Sequence, residues 1–380
     1  MKVSKKRRTI TSDPDKDKIR LNSTEEDCSP PEFRYDPLEN IWVIVAAERN
    51  KRPLPQREKL IKDSSEGCPF CVGHESDTPP EIWRLPAEEI GKNSSTWKIR
   101  VIPNKYPALK KSLTGRRFEH GLYESIEGTG DHEVIIETPE HDITFEEIPQ
   151  QHIEEVLRTY RTRIETLYRN PEIKYALLFK NQGVKAGASL RHPHSQLIGT
   201  PVLPKGVASK LESSFRYYKK TSRCLICDLI KQEKAEDSRW VFSKKGITAF
   251  VPYAARFPYE IFIVPEKHCS CFTQANDEIL TAVSEVLKEM LLRLKKLLEE
   301  APYNLILNTA PNTRFKMKAW PGKKEKQFFQ EPGDKNYDYY HWHINIFPRL
   351  NPIAAFEWSS GFSINPVPPE VSAKALRKKL

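Results

Sequence analysis

The stretch that decides the fold of this chain reads NQGVKAGASLRHPHSQ, residues 181–196. Alternate residues of a β-strand project from one face, so a strand here would point His192, His194 and Gln196 the same way. Two imidazoles and an amide are not how a core face is filled, because each buried polar group needs a hydrogen-bonding partner. The pattern therefore predicts a polar ligand at this face.

The chemistry of this stretch suits phosphoryl transfer. A neutral imidazole nitrogen can attack phosphorus near neutral pH without the strong base that a hydroxyl requires. Gln196 and the preceding loop can donate hydrogen bonds to phosphate oxygens, and Gly183 and Gly187 would let a phosphate approach the main chain. Taken alone, the loop is typical of a simple turn, but its place directly before His-x-His-x-Gln favours phosphate binding.

A second His-x-His occurs later, and the order of features around it copies the first. Residues 153–168 and 279–298 have apolar residues at three- and four-residue steps and predict two long amphipathic helices. Each predicted helix is preceded by a C-x2-C pair and by a strand that ends in Pro-Glu with a His nearby. Each is followed by an apolar strand, an Asn and a His-x-His. Five features in one order predict an internal duplication. The paired residues are Cys68 and Cys71 with Cys224 and Cys227, His141 with His268, Asn181 with Asn308, and His192 and His194 with His341 and His343.

The seven cysteines are an odd number, which argues against a disulfide framework. The two C-x2-C pairs have the spacing of a zinc half-site. Redox dithiols or ordinary buried thiols are the alternatives. Cys28, Cys269 and Cys271 have no such partner and receive no assignment.

The composition predicts a soluble, cytoplasmic protein that binds neither a membrane nor a nucleic acid. No apolar run approaches the roughly 20 residues of a membrane span, and the basic start lacks the apolar core of a secretory signal. Part of the net charge of +10 lies at the two ends, and no nucleic-acid-reading motif lies between them. Residues 1–30 are polar and predict a disordered tail, and 380 residues suffice for two domains or two similar halves.

The run N-x-G-x3-G-A-S-x2-H-P-H-S-Q, residues 181–196, resembles the active-site motif of galactose-1-phosphate uridylyltransferases. These enzymes are a branch of the histidine triad superfamily built from two similar halves, and the resemblance covers roughly residues 30–370. It implies an α+β fold of two related halves, each a mixed, largely antiparallel sheet with flanking helices. Residues 31–205 would carry the nucleophile motif, and residues 206–380 would carry a second metal site and a hexose-facing segment. The resemblance also implies a homodimer.

The resemblance assigns roles to individual residues. His194 would be the covalently nucleotidylated nucleophile of a ping-pong reaction, and Gln196 would steady the phosphoryl group. A first zinc would be held by Cys68, Cys71, His141 and His192. The further positions that match substrate-contacting residues are Arg49, Arg52, Asn104, Asn181, Gly187 and Ser189.

The second half departs from the best-known bacterial members. Its C-x2-C, with His268 and His341, resembles the second zinc site of the branch that includes plant ADP-glucose phosphorylase-like proteins, although iron stays open for this metal. His343 has no ligand role in this assignment. It is either a group that contacts a metal ligand from behind or a core histidine. Ser195 also resembles that branch, as does the segment 356–370, in which Ser363 replaces a Tyr.

The leading hypothesis is a hexose-1-phosphate uridylyltransferase that moves UMP from UDP-glucose to galactose 1-phosphate. An ADP-sugar phosphorylase or adenylyltransferase on the same scaffold is the close alternative. A histidine triad hydrolase or nucleotide sensor is less favoured, because such hydrolases usually have His where this chain has Gln196. A further alternative is an interaction module that zinc stabilises and that has lost its catalytic activity. The intact motif disfavours it.

Overall fold

The computed structural model describes residues 30–51, 65, 67–87, 96–111, 115–299, 302–315 and 337–378. The predicted disordered tail, residues 1–30, lies outside these residues except for its last position. The strands are β1 (Glu32–Asp36), β2 (Ile41–Val45), β3 (Trp83–Pro86), β4 (Trp97–Pro103), β5 (Arg117–His120), β6 (Tyr123–Ile126), β7 (Asp131–Ile136), β8 (Tyr175–Gln182), β9 (His194–Thr200), β10 (Trp240–Lys244), β11 (Ile247–Phe250), β12 (Ile261–Pro265), β13 (Tyr303–Asn308), β14 (His343–Pro348) and β15 (Ser363–Asn365). The helices are α1 (Gln150–Tyr168), α2 (Lys205–Thr221), α3 (Leu225–Glu236), α4 (Asp277–Leu298), α5 (Ala355–Ser360) and α6 (Pro369–Leu376).

Ten strands form one antiparallel sheet whose order repeats from both edges. The order is β3-β4-β7-β9-β8 from one edge and β10-β11-β12-β14-β13 from the other, and β8 pairs with β13 in the middle. Each of the five first-half strands in this sheet therefore has a counterpart in the second half. The α+β prediction is confirmed, and the two halves share one continuous sheet. The boundary between residues 205 and 206 stays a prediction.

The core lies between this sheet and the two long helices. Helices α1 and α4 contact each other and cover one face, where Leu157, Leu178, Leu287 and Leu305 belong to one buried cluster. Both helices were predicted from their spacing, and the structure begins each a few residues earlier. Asn276 explains the start of α4, because its side chain accepts a hydrogen bond from the Ile279 N–H.

Two helices of the second half were not predicted. Helix α2 buries only Val207, Ala208 and Leu211 among its apolar residues, and its lysines and aromatics interrupt the spacing. Helix α3 follows Cys224 directly and packs with α2. Among the described residues, no helix has the length and apolar character needed to cross a bilayer.

A smaller sheet holds the two ends of the described chain together. Its strands are β1, β2 and β15, and β15 runs parallel to β2. Residues 356–370 therefore lie against the segment that leads to Arg49, and the Ala46 N–H donates to the Asn365 carbonyl.

Candidate active site and metal centres

The nucleophile motif lies at the start of β9, on the sheet face opposite α1 and α4. Cross-strand partners share a face, and His194 pairs with Ile136 while Gln196 pairs with Phe179. The strand begins at His194, so the prediction of one strand carrying all three polar residues is wrong for His192. His192 lies just before the strand, and its ring lies among the cysteines instead.

The ring of His194 is held in the tautomer that a nucleophile needs. Its Nδ1 lies 2.8 Å from the His192 carbonyl oxygen. A carbonyl only accepts hydrogen bonds, so Nδ1 carries the proton and Nε2 keeps its lone pair. The side chain is 6% exposed, and burial lowers the pKa of His194. The ring is therefore neutral near pH 7, with Phe70 packed edge-on at 5.3 Å.

The amide of Gln196 is oriented by His132, a residue that sequence analysis missed. The Ala108 N–H donates to His132 Nδ1, so the proton of this ring is on Nε2. That Nε2–H donates to Gln196 Oε1 at 2.8 Å. The arrangement turns the amide N–H groups of Gln196 toward any ligand. Only the pairing of β7 with β9 reveals this contact, because His132 and Gln196 are far apart in sequence.

Asn104 lies beside the same pair. Its backbone N–H donates to the His132 carbonyl, and its Nδ2 is 3.2 Å from His132 Nε2. The structure therefore brings Asn104 and Gln196 together around His132, as expected for residues of one site.

The loop between β8 and β9 has the backbone that its glycines predict. Gly183 has φ 82° and Gly187 has φ 89°, and the 3-10 turn Val184–Ala186 lies between them. Both φ values lie in the region that favours glycine. Asn304 of β13 donates to Asn181 Oδ1 and to the Ala186 carbonyl, each at 2.8 Å, so the second half fixes this loop. Gly187 and Ser189 are exposed.

The first C-x2-C belongs to a cluster of four side chains that could hold a metal ion. The ligand atoms of Cys68, Cys71, His141 and His192 lie within 4.8 Å of one another. The Nδ1 of His192 is 3.8 and 3.6 Å from the two sulfurs, and that of His141 is 3.3 Å from Cys71 Sγ. Tetrahedral zinc, with bonds of about 2.3 Å to sulfur and about 2.0 Å to nitrogen, separates such atoms by about 3.5 Å. The donor set therefore fits zinc.

The tautomer of His192 agrees with this fit. Its Nε2 lies 2.8 Å from the Thr138 carbonyl, so Nε2 carries the proton and the Nδ1 lone pair faces the sulfurs. The metal cluster and the nucleophile are thus connected, because the carbonyl of His192 receives the Nδ1–H of His194.

The second cluster repeats the first in the other half. Cys224, Cys227, His268 and His341 also place their ligand atoms within 4.8 Å of one another. Cys227 Sγ is 3.5 Å from the Nδ1 of each histidine. Its two sulfurs and two nitrogens likewise fit a tetrahedral zinc.

His343 is the counterpart of His194, but its ring is fully buried. Its Nδ1 is 3.0 Å from the His341 carbonyl, which repeats the arrangement around His194. The ring is 0% exposed and stacks on Phe262, with centroids 4.5 Å apart. Its Nε2 has no hydrogen-bond partner among the described residues. Burial and stacking are those of a core histidine, and the contact of Nδ1 with the His341 carbonyl is that of a group behind the ligands, so both interpretations of His343 stay predictions.

The cover over this second face comes from α2. Lys210 donates to Asn308 Oδ1 at 2.7 Å and pairs with Glu39 at 3.1 Å. Asn308 is the cross-strand partner of His343. The side chain of Lys210 therefore covers the face of the second half that carries His343.

Two of the predicted phosphate-contacting residues are Arg49 and Arg52. Arg49 is exposed in the 3-10 helix Ala47–Lys51, and no hydrogen bond or ion pair of the described residues joins it to His194. Arg52 lies outside the described residues.

A cleft of about 370 Å³ opens where the two halves meet on the site face. Its walls include Phe179, the cross-strand partner of Gln196. Two arginines are stacked on aromatic rings in it: Arg256 lies 4.9 Å from the Phe347 ring centroid and Arg349 lies 5.1 Å from that of Phe257. The residues that line the cleft are Leu177, Phe179, Asn181, Arg256, Phe257, Asn304, Ile306, Phe347 and Arg349.

Known proteins are similar to this chain in sequence and architecture. The family model for the N-terminal domain of galactose-1-phosphate uridyl transferase matches residues 21–204. An ADP-glucose phosphorylase of Arabidopsis thaliana is 34% identical over 92% of this chain and 93% of its own length. A galactose-1-phosphate uridylyltransferase of Thermotoga maritima is 30% identical over 91% of this chain and 98% of its own.

The chain belongs to the galactose-1-phosphate uridylyltransferase family.

A crystal structure of the Arabidopsis thaliana ADP-glucose phosphorylase with bound ADP-glucose superposes with a TM-score of 0.75 at 33% identity, covering 92% of this chain and all of that one. The family resemblance of the nucleophile motif and the prediction of an enzyme of this family are thereby confirmed.

Proposed function

We propose that this family member is a nucleotidyltransferase that carries a nucleoside monophosphate on His194 between two sugar phosphates. The observation that supports this most directly is the neutral His194 ring, whose Nε2 lone pair is free because Nδ1 donates to the His192 carbonyl. We take uridylyl transfer from UDP-glucose to galactose 1-phosphate as the leading reaction.

The first half-reaction follows from this geometry. Nε2 of His194 attacks the α-phosphorus, the bond from that phosphorus to the bridging oxygen breaks, and the sugar phosphate leaves with the electron pair. The positive charge of the nucleotidylated ring is stabilised by the hydrogen bond from Nδ1 to the His192 carbonyl. The N–H groups of Gln196, oriented by His132, donate to the non-bridging oxygens as their charge develops.

The second half-reaction reverses the first with another acceptor. A phosphate oxygen of the incoming sugar phosphate attacks the same phosphorus, and the bond to Nε2 breaks with its electrons returning to the ring. No other base is needed, because a sugar phosphate is already an anion. Each acceptor must therefore bring a phosphate close to Nε2.

The cleft between the halves suits that acceptor. Arg256 and Arg349 offer positive charge to a phosphate, and Asn181 and Asn304 offer amides to hydroxyl groups. The predicted contacts of Arg49, Arg52, Asn104, Asn181, Gly187 and Ser189 with substrate stay part of this proposal.

We infer that both clusters hold zinc in a structural role. When bound, the metal ties distant segments of each half together through thiolate and imidazole bonds. In the first half it also fixes His192, whose carbonyl sets the tautomer of His194. A homodimer and a cytoplasmic location stay predictions, of which the first is checked by sedimentation equilibrium.

A second candidate is adenylyl transfer, as in an ADP-sugar phosphorylase that uses inorganic phosphate as acceptor. Two observations favour it. The Arabidopsis thaliana ADP-glucose phosphorylase shares 34% identity with this chain, against 30% for the Thermotoga maritima uridylyltransferase. Ser195 and the segment 356–370 also resemble that branch more than the familiar uridylyltransferases.

A labelled-adduct experiment separates the two reactions. The protein is incubated with UDP-glucose or ADP-glucose carrying a radioactive α-phosphate, and the denatured protein is isolated at alkaline pH. Label from UDP-glucose, released by galactose 1-phosphate, supports uridylyl transfer. If only ADP-glucose labels the protein and phosphate releases the label, adenylyl transfer replaces uridylyl transfer as the proposed reaction. No protein-bound label from either donor, with steady hydrolysis of the donor, would contradict both.

A further inference from the structure

A buried ion pair lies directly behind the nucleophile, on the face covered by α1 and α4. Lys180 Nζ is 2.6 Å from Glu137 Oε2, and the side chains are 1% and 0% exposed. Removing two charges from water costs several kcal/mol per ion, and an apolar pair of the same volume is often as stable or more stable. Stability alone does not explain such a pair.

The Lys180 side chain and the Glu137 backbone contact the main chain at His194 and at the residue before it. Lys180 Nζ donates to the His194 carbonyl at 3.1 Å. The Glu137 backbone N–H donates to the Pro193 carbonyl at 3.1 Å. The hydroxyl of Ser195, the next residue, donates to Glu137 Oε1, and so does the hydroxyl of Tyr160.

The place of His194 in the strand explains why such restraint matters. His194 is the first residue of β9, so the strand ladder holds only the chain that follows it. The preceding residues run from the metal cluster to the strand. Hydrogen bonds from Lys180 and Glu137 fix this junction, and with it the direction of the His194 ring.

The second half provides an internal comparison, because the duplication gives each of these positions a counterpart. Asn181 corresponds to Asn308, so Lys180 corresponds to Leu307. His194 corresponds to His343, so Ser195 corresponds to Ile344. Leu307 and Ile344 pair across β13 and β14, and both are buried. The same architecture is thus built with an apolar pair where the second histidine is closed off.

We propose that Lys180, Glu137 and Ser195 form a positioning network that aims Nε2 of His194 at the α-phosphorus. This proposal rests on the proposed function. None of the three has to touch substrate, so they are positioning residues. The charged pair lies behind His194 in the first half, and in the second half the buried Leu307 and Ile344 fill the places of Lys180 and Ser195.

The test replaces the charged pair by an apolar one of similar volume. In the double variant Lys180→Met/Glu137→Leu, we expect the thermal midpoint to stay close to that of the wild type. The single-turnover rate of nucleotidylation of His194 should fall about 10- to 100-fold, with little change in KM, because small misplacements of reacting atoms are costly. The matched control is Leu307→Met, which should leave this rate unchanged.

A stable double variant with the wild-type rate of adduct formation would overturn the proposal. If that variant does not fold, Ser195→Ala removes one hydroxyl, with its contacts to Glu137 and to the Tyr160 hydroxyl. We expect Ser195→Ala to remain stable, to keep its metal content and to lose several-fold in the nucleotidylation rate. A wild-type rate in Ser195→Ala would equally count against the network. All rates are ratios to the wild type, so a wild type that forms no adduct refutes the proposed function and not the network.

Discussion

The two halves of the sheet share their strand order, a Cys2His2 cluster and a His-x-His. The surroundings of the second histidine of each His-x-His differ between the halves. In the first half, His194 faces the cleft side and has a charged pair behind it. In the second half, His343 stacks on Phe262, Lys210 of α2 covers its face, and Leu307 fills the place of Lys180. Both halves contain the cluster and the strand, and among the described residues the charged pair behind the histidine occurs in the first half. The predictions below test that division.

The largest effect is expected from the two histidines themselves. His194→Ala should lower nucleotidyl transfer by about 10⁴-fold or more, because the nucleophile is lost. His343→Phe keeps an aromatic ring on Phe262 and should leave the rate close to that of the wild type. Steady-state and single-turnover kinetics measure both. Transfer by His194→Ala, or its loss in His343→Phe, would remove the distinction between the halves.

The next effect concerns the amide two residues after each histidine. Gln196→Ala should reduce kcat by about 10²- to 10³-fold, because donors to the developing charge are lost. The counterpart is Asn345, which accepts a hydrogen bond from Asn308 in the buried second half. Asn345→Ala should lower the thermal midpoint and spare the rate per folded molecule. Equal losses of rate in both variants would argue against the assigned role of Gln196.

A smaller difference is expected between the two metal clusters. Cys68→Ala and Cys224→Ala should each lose one zinc by metal analysis and lower the thermal midpoint. Only Cys68→Ala should also reduce the rate per folded molecule, by about 10- to 100-fold, because His192 loses its anchor and its carbonyl holds His194. An equally slowed Cys224→Ala would mean that the second metal also supports the chemistry.

The smallest effect is expected where the halves meet. Arg349→Gln should raise the KM of the acceptor about tenfold with little change in kcat, since one charged hydrogen bond to a phosphate is lost. The adduct-forming step with the nucleotide sugar is the control and should be nearly unaffected. If Arg349→Gln changed only the adduct-forming step, the proposal that the acceptor binds in this cleft would be contradicted.

Sequence alone predicted the parts of the site that depend on spacing or ligand chemistry. The helices α1 and α4 follow from their apolar spacing, the two C-x2-C pairs have the spacing of a zinc half-site, and the histidines that complete each cluster were implied by the family resemblance. Both clusters come together as predicted. These features lie in local patterns, which a single chain displays.

The contacts made across strands were not predicted. His132 meets Gln196 only because β7 pairs with β9 in one register. Lys180 follows an apolar run and looks like the polar end of a strand, and its burial depends on α1 and α4 packing over it. The sharing of one sheet by both halves is likewise set by the pairing of β8 with β13.

The central claim is that only one of two related histidines takes up the nucleotide, and peptide mapping of the adduct tests it most directly. After rapid mixing with nucleotide sugar and digestion by trypsin at alkaline pH, His194 lies in the peptide of residues 192–205 and His343 in that of residues 336–349. The account predicts a nucleoside monophosphate on the first peptide, at His194, and an unmodified second peptide. An adduct at His343, or at a residue other than His194, would contradict it.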